Sequence, residues 1–454
     1  MNTETAVTTS PILALLAFVA VILILLFLIA KWRWHVFLAL LVPLVLFGII
    51  PGIEQNNFIH AFETGFGSTL GSIGVVIVLG SIIAEALRHT GAIQTITSTM
   101  VEVFGRNRIP LALTLTGFIL GIAIFSDVAF VILNPLVHSA AKAMGVSISV
   151  VSIGLVGSLQ LTHAIVPPTP GPLAAAALVG ADVGKTIIFG GIACLIGSLA
   201  GWIWGQFIAG PRIKTLPDDE FAGEPFLDGD HKGLPGAFAS YAPIVIPILL
   251  ISGQSISRLF LAEDHFIRAG LVYIGWPVTA LSIGVWLAYR NIRTEEHKKA
   301  SKNAWIEEAL KVSAMILVVT GLGGSLSAIL KATPAVDVIS GFFSTYGLPA
   351  ILLPFVIGIM GNMITGSTTV GVITAASLVA PMLGSLGLSP EAAMLSGACG
   401  SVIIKYVNSS YFWVCTSLTR LSVKDAIFGY GGATLVGGLA SFSSICVMWS
   451  FDFI

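Results

Sequence analysis

Asp127 stands in Phe125-Ser126-Asp127-Val128, with apolar sequence on either side over roughly 109–124 and 127–143. A carboxylate at the centre of a bilayer costs about 2.5–3.5 kcal/mol on insertion scales, so it persists where it is paired, protonated or facing a watery cavity. Such a group can handle a substrate or a proton; the structural alternative is a helix-breaking or capping role. A second cluster is Thr162-His163-Ala164-Ile165-Val166-Pro167-Pro168-Thr169-Pro170-Gly171-Pro172. Four prolines in six residues remove backbone donors and forbid a regular helix. At membrane depth the freed carbonyls must face protein or a cavity. His163 can titrate near neutral pH, or its ring can simply bond a backbone carbonyl; both readings stand.

The third cluster comes from the second half of the chain: Gly361-Asn362, Thr365-Gly366-Ser367-Thr368-Thr369 and Asn408-Ser409-Ser410. Hydroxyls and amides can hold a carboxylate or a polyol without much fixed charge. A lone Ser or Thr in a membrane helix usually bonds its own backbone or a neighbouring helix. A glycine-flanked run of three hydroxyls is better read as the tip of a binding hairpin. Lys405, in Val402-Ile403-Ile404-Lys405-Tyr406, either counters a substrate carboxylate or snorkels to the interface, and snorkelling is the default.

The elements that carry these clusters must lie in lipid. The chain has 454 residues, 56% hydrophobic and only 10% charged, against about 25% charged in an average soluble protein. Lys+Arg (22) and Asp+Glu (23) nearly cancel, which leaves no basic field for nucleic acid. Cys194, Cys399, Cys415 and Cys446 are scattered through apolar segments without a CxxC pair and read as small buried hydrophobes. Neither metal-ligand spacing nor a nucleophile–base pair is visible, so no metal, cofactor or enzymatic activity is expected.

A helix needs about 20 apolar residues to cross the hydrocarbon core. Residues 11–30 form a long apolar run followed, not preceded, by basic residues; it reads as a first membrane helix and not a cleaved leader. Further apolar segments fall at 35–51, 65–87, 109–124, 127–143, 147–166, 171–181 and 185–209, with a polar interfacial stretch near 92–104. After a hydrophilic loop they resume at 241–260, 267–289, 305–330, 335–345, 348–364, 367–386, 390–407, 410–420 and 427–451. Several are short and interrupted by Gly or Pro, as discontinuous helices and re-entrant hairpins are. Lys31/Arg33, Arg106/Arg108, Arg212/Lys214 and the 290–302 cluster should be cytoplasmic by the positive-inside rule. The helix at 65–87 then runs inward and that at 305–330 outward.

The halves also match in sequence. Leu87–Ile96 resembles Leu330–Ile339 at an offset of 243, Gly121–Asp127 falls against Gly361–Ser367 at 240, and Gly145-Val146-Ser147 matches Gly387-Leu388-Ser389 at 242. With the helix directions opposed, this is an inverted repeat of the kind secondary transporters use. The expected fold is an all-α polytopic membrane protein of two inverted-topology repeats, with broken helices, re-entrant hairpins and about 12–14 membrane segments. Residues 1–209 make the first half, 210–240 a hydrophilic cytoplasmic linker and 241–454 the second half.

These motifs, in this order, resemble the gluconate permease family of the ion transporter superfamily. Ser126-Asp127-Val128-Ala129-Phe130 is similar to the family's Phe-Asp-Val-Gly-Phe segment. His163 with Val166-Pro167-Pro168-Thr169-Pro170-Gly171-Pro172 resembles its His-x-x-Val-Pro-Pro-His-Pro-Gly-Pro signature. Gly366-Ser367-Thr368-Thr369-Val370 resembles its Gly-Ser-Ala-Thr-Val tip, and Asn408-Ser409-Ser410-Tyr411-Phe412-Trp413 its Asn-Asp-Ser-Gly-Phe-Trp. The resemblance implies proton-coupled uptake of sugar acids or related hydroxy and amino acids across a bacterial inner membrane, by alternating access, with a homodimer as the superfamily's assembly. Two departures stand out: Thr169 replaces a His and Ser409 replaces an Asp. A smaller or less hydroxylated carboxylate than gluconate would leave fewer polar partners unpaired here.

The expected substrate site is therefore Ser126, Asp127, His163, Thr169, Gly366, Ser367, Thr368, Thr369, Asn408, Ser409 and Ser410, with Asp127 and His163 the proton-coupling groups. A sodium-coupled or D-serine-like transporter of the same fold is the alternative. A channel would need a continuous polar pore, which broken repeats argue against.

Overall fold

The computed structural model describes residues 16, 20, 23–24, 27–28, 31–32, 34–48, 54–217, 233–262, 265–331, 348–405 and 409–454. Among them the regular elements are all helices. Of the first expected span only Leu16, Ala20, Leu23, Ile24, Phe27 and Leu28 are described, all helical. The 335–345 segment lies outside the described residues, as does most of the Leu330–Ile339 repeat leg.

Small residues on facing surfaces bring the long helices Gln55–Thr90 and Ala304–Lys331 together. Ser325 donates to the Phe62 carbonyl at 2.8 Å towards one end, and Ser313 donates to the Ser81 hydroxyl at 3.0 Å towards the other. Residue numbers rise along one helix as they fall along the other, so the pair is antiparallel, as the opposed repeats require. A Cβ on Gly65 would overlap the Gly324 backbone. Close backbone approach through glycine is how membrane helices gain packing where lipid gives no hydrophobic drive.

Each half then repeats one sequence of elements. The arms Ile109–Leu120 and Ser126–Met144 correspond to Leu352–Thr365 and Thr368–Val379. Both second arms reach a left-handed glycine, Gly145 (φ 64°) and Gly387 (φ 61°), the latter after the short helix Leu383–Leu386. Only a residue without a Cβ adopts that conformation cheaply. Ser147 and Ser389 follow as N-caps of Ile148–Ile165 and Pro390–Val402. These two helices break and resume as Pro170–Val179 and Ser410–Thr419. The halves close with Val183–Ile203 and Gly432–Ser450, which cross where Gly197 meets Gly437 and Ser441 donates to the Ala193 carbonyl at 3.0 Å.

Ile148–Ile165 is buried along nearly its whole length, which explains why an apolar membrane segment tolerates Ser152, Ser158, Gln160 and Thr162. Their surroundings are protein and not lipid, so each can find a partner; Ser158, for one, donates to Ser198 at 2.9 Å. The outside is the reverse. Phe238, Phe260, Phe266, Tyr273, Trp276 and Trp286 are exposed, an apolar surface that suits lipid and would be a liability in water.

Among the described residues seven helices are long and apolar enough to cross a membrane, or eight with one bent pair counted as a span. The 267–289 segment is not straight: Phe266–Ile274 and Pro277–Tyr289 meet at 62°. Pro277 has no N–H to continue the preceding helix and begins a new one.

Candidate substrate site

Glycine sets how deep the hairpins reach. Gly117 and Gly121 lie against Leu155, Leu159 and Thr162 of the central broken helix. In the second half a Cβ on Gly358 would overlap the Gly397 carbonyl, and one on Gly400 the Phe355 carbonyl. Each hairpin tip is thereby drawn in beside the break of its neighbouring helix. The tips are the non-helical stretch Gly121–Phe125 and the pair Gly366-Ser367.

Both tips and both broken helices line one cavity of about 450 Å³, within the 300–1,000 Å³ range of small-molecule sites. Its wall includes Ser126, Asp127, Gln160, His163, Gly366, Ser367, Thr368, Thr369, Lys405, Ser409 and Ser410, with Val312, Ile316 and Val319 of Ala304–Lys331 as its apolar side. The starts of three helices open onto it: Ser126, Thr368 and Ser410. Unpaired N–H groups and the positive end of the dipole make a helix N-terminus receptive to anions.

Most of the expected residues meet here. Asp127 lines the cavity while its Oδ1 accepts from the Val128 N–H at 3.0 Å, so the carboxylate sits in the first turn of its helix and at the cavity wall at once. His163 is 6% exposed, its Nδ1 has no hydrogen-bond partner among the described residues, and its ring lies 5.2 Å from that of Phe125. A buried imidazole nitrogen left unpaired is costly unless something else binds it. The hydroxyls divide into two groups. Ser367 caps the Val370 N–H at 3.3 Å, and Thr365 donates to the Gly361 carbonyl at 2.8 Å and accepts from the Ser367 N–H at 3.1 Å; these shape the tip itself. Ser126 and Thr369 have no hydrogen-bond partner among the described residues and are open to a solute.

One expected residue falls elsewhere. The Thr169 hydroxyl donates to the Val166 carbonyl at 2.7 Å and lines a much smaller neighbouring void, not the main cavity. Asn408 lies outside the described residues. Lys405 departs from the snorkelling default: it is 6% exposed and donates to Gly366 and Asn362. Gln160 was missed altogether, although it precedes His163 by three residues and so shares its helix face. Its Nε2 donates to the Thr368 hydroxyl at 3.1 Å.

The profile of the GntP family permease matches residues 13–452. The chain belongs to that family. A gluconate permease of Zymomonas mobilis is 32% identical over 94% of this permease and 96% of its own length. A gluconate permease of Pseudomonas aeruginosa is 30% identical, covering 88% and 89%. The D-serine transporter DsdX of Escherichia coli is also 30% identical, covering 91% and 93%. The crystal structure of the Alcanivorax borkumensis YdaH transporter, described as having an unusual topology, superposes with a TM-score of 0.62 over 97% of this chain and 99% of that one, at 14% identity. The permease is thus a multi-pass transporter of the bacterial inner membrane, carrying a small molecule.

Proposed function

We propose that this permease takes up a small carboxylate, a sugar acid such as gluconate or a related hydroxy acid, by proton symport with alternating access. The observation that carries the reading is the convergence of three helix N-termini and the hydroxyls of Ser126, Thr369, Ser409 and Ser410 on one cavity that also holds Asp127 and His163. Helix N-termini receive the carboxylate, while Ser126, Thr369, Ser409 and Ser410 meet its hydroxyl groups. Asp127 and His163 take up and release the coupling proton. Residues 1–209 and 241–454 act as the two halves, joined by 210–240, and the hairpin tips open the site to alternate sides.

Asp127 also favours a second reading. A carboxylate in the wall can hold the ammonium of an amino acid, and a D-serine transporter stands among the relatives. Counterflow into proteoliposomes loaded with unlabelled solute separates the two. Gluconate and other sugar or hydroxy acids should exchange with label, and D-serine should not. Exchange of D-serine in preference to every hydroxy acid selects the second reading, and exchange of none overturns both.

A further inference from the structure

Lys405 places its ammonium where the second hairpin turns. Its Nζ donates to the Gly366 carbonyl at 3.0 Å and to Asn362 Oδ1 at 3.2 Å. Gly366 ends the helix Leu352–Thr365 in a left-handed conformation (φ 73°), with its N–H returned to the Asn362 carbonyl at 2.7 Å. Its own carbonyl therefore projects from the negative end of the helix. Asn362 Nδ2 donates to the Ile404 carbonyl at 2.5 Å, which turns Oδ1 towards the ammonium. Lys405 itself follows the end of Pro390–Val402, in the break of that helix. Two oxygens from a hairpin and a cation from a helix break thus lock together, inside the wall of the transport cavity.

The partners are neutral oxygens, not a carboxylate. Half-helix C-termini and unwound backbone carbonyls are the groups with which secondary transporters coordinate a free Na⁺ or a proton. Here a covalently attached ammonium occupies such a set. At the 242-residue offset that relates Gly145 to Gly387, the counterpart of Lys405 is His163, whose Nδ1 has no hydrogen-bond partner among the described residues.

We propose that Lys405 is a tethered cation, filling in the second repeat the position that a dissociable monovalent cation would otherwise take. It pins the Gly366 tip to the neighbouring break without an ion that must bind and leave. Coupling then falls to the first repeat, to Asp127 and His163; this consequence alone rests on the transport reading above.

Thermal unfolding of the purified full-length permease tests it, with NaCl exchanged for choline chloride at equal ionic strength. The wild type should unfold at the same temperature in both. Lys405→Ala and Lys405→Ser should be destabilised in choline and regain several degrees in Na⁺, rising with the logarithm of its concentration as a bound ligand requires. Lys405→Arg, which keeps the charge, should show no such rise. Recovery of folded Lys405→Ala or Lys405→Ser only in Na⁺ would support the proposal equally. Variants equally stable in the two salts, or recovered in neither, overturn it. The readout is stability, so either result leaves the transport reading to its own test.

Discussion

Gln160 Nε2 lies 3.1 Å from Oγ1 of Thr368, a bond between the central helix of the first repeat and the hairpin tip of the second. Both side chains are buried. Gln160→Leu alone leaves the Thr368 hydroxyl without its partner, which costs about 1–3 kcal/mol. Thr368→Val alone strands the amide in the same way. The double variant removes both polar groups, so its loss should be smaller than the sum of the single losses. Thermal unfolding of the four proteins measures this; simple additivity would show that the bond does not couple the repeats.

The glycines that admit the hairpins should be intolerant of a methyl group. Gly400→Ala drives a Cβ into the Phe355 carbonyl and Gly358→Ala into that of Gly397. Backbone cannot step aside as a side-chain tip can, and overpacking costs about 1–3 kcal/mol or more. Gly253→Ala, within Ala237–Phe260 and with open space where its Cβ would go, should instead gain about 0.5–1 kcal/mol from helix propensity. Unfolding temperatures in detergent compare the three. Equal effects at all of them would refute the close-packing account.

Phe125 lines the main cavity and two smaller voids, one of them containing Glu85 and Arg88 of Gln55–Thr90. Val312 borders the main cavity and that same void. These two side chains therefore stand between the proposed site and the C-terminal end of Gln55–Thr90. A cysteine at Val312 should react with a maleimide faster when Phe125 is replaced by Ala, and more slowly when substrate is bound. Cys194, Cys399 and Cys415 are buried and should contribute little background. Labelling of Val312→Cys at one rate in both backgrounds would contradict the gating role.

Span boundaries were legible because burial in lipid imposes a simple length and polarity rule; Ile148–Ile165, read as 147–166, and Ala304–Lys331, read as 305–330, show it. The breaks were legible too, since prolines at 167–172 and glycines at 366 and 387 can do few other things. The bend at Gly275-Trp276 was not, because an apolar run has the same composition straight or bent. Lys405 and Gln160 were misjudged or missed for a different reason. Their role depends on what faces them across the repeat interface, and sequence records the residue without its opposite number. Thr169 is a case of the same kind: its place in a motif suggested the cavity, and what its hydroxyl bonds, the Val166 carbonyl, is set by the local fold.

Accumulation of a labelled carboxylate in proteoliposomes, driven by an imposed pH gradient, tests the central claim most directly. With the interior alkaline and Na⁺ absent, the wild type should concentrate the solute that exchanges best. Asp127→Asn should remain folded and abolish that accumulation. Accumulation by Asp127→Asn at the wild-type level, or wild-type accumulation that requires Na⁺ and ignores the pH gradient, would contradict the account.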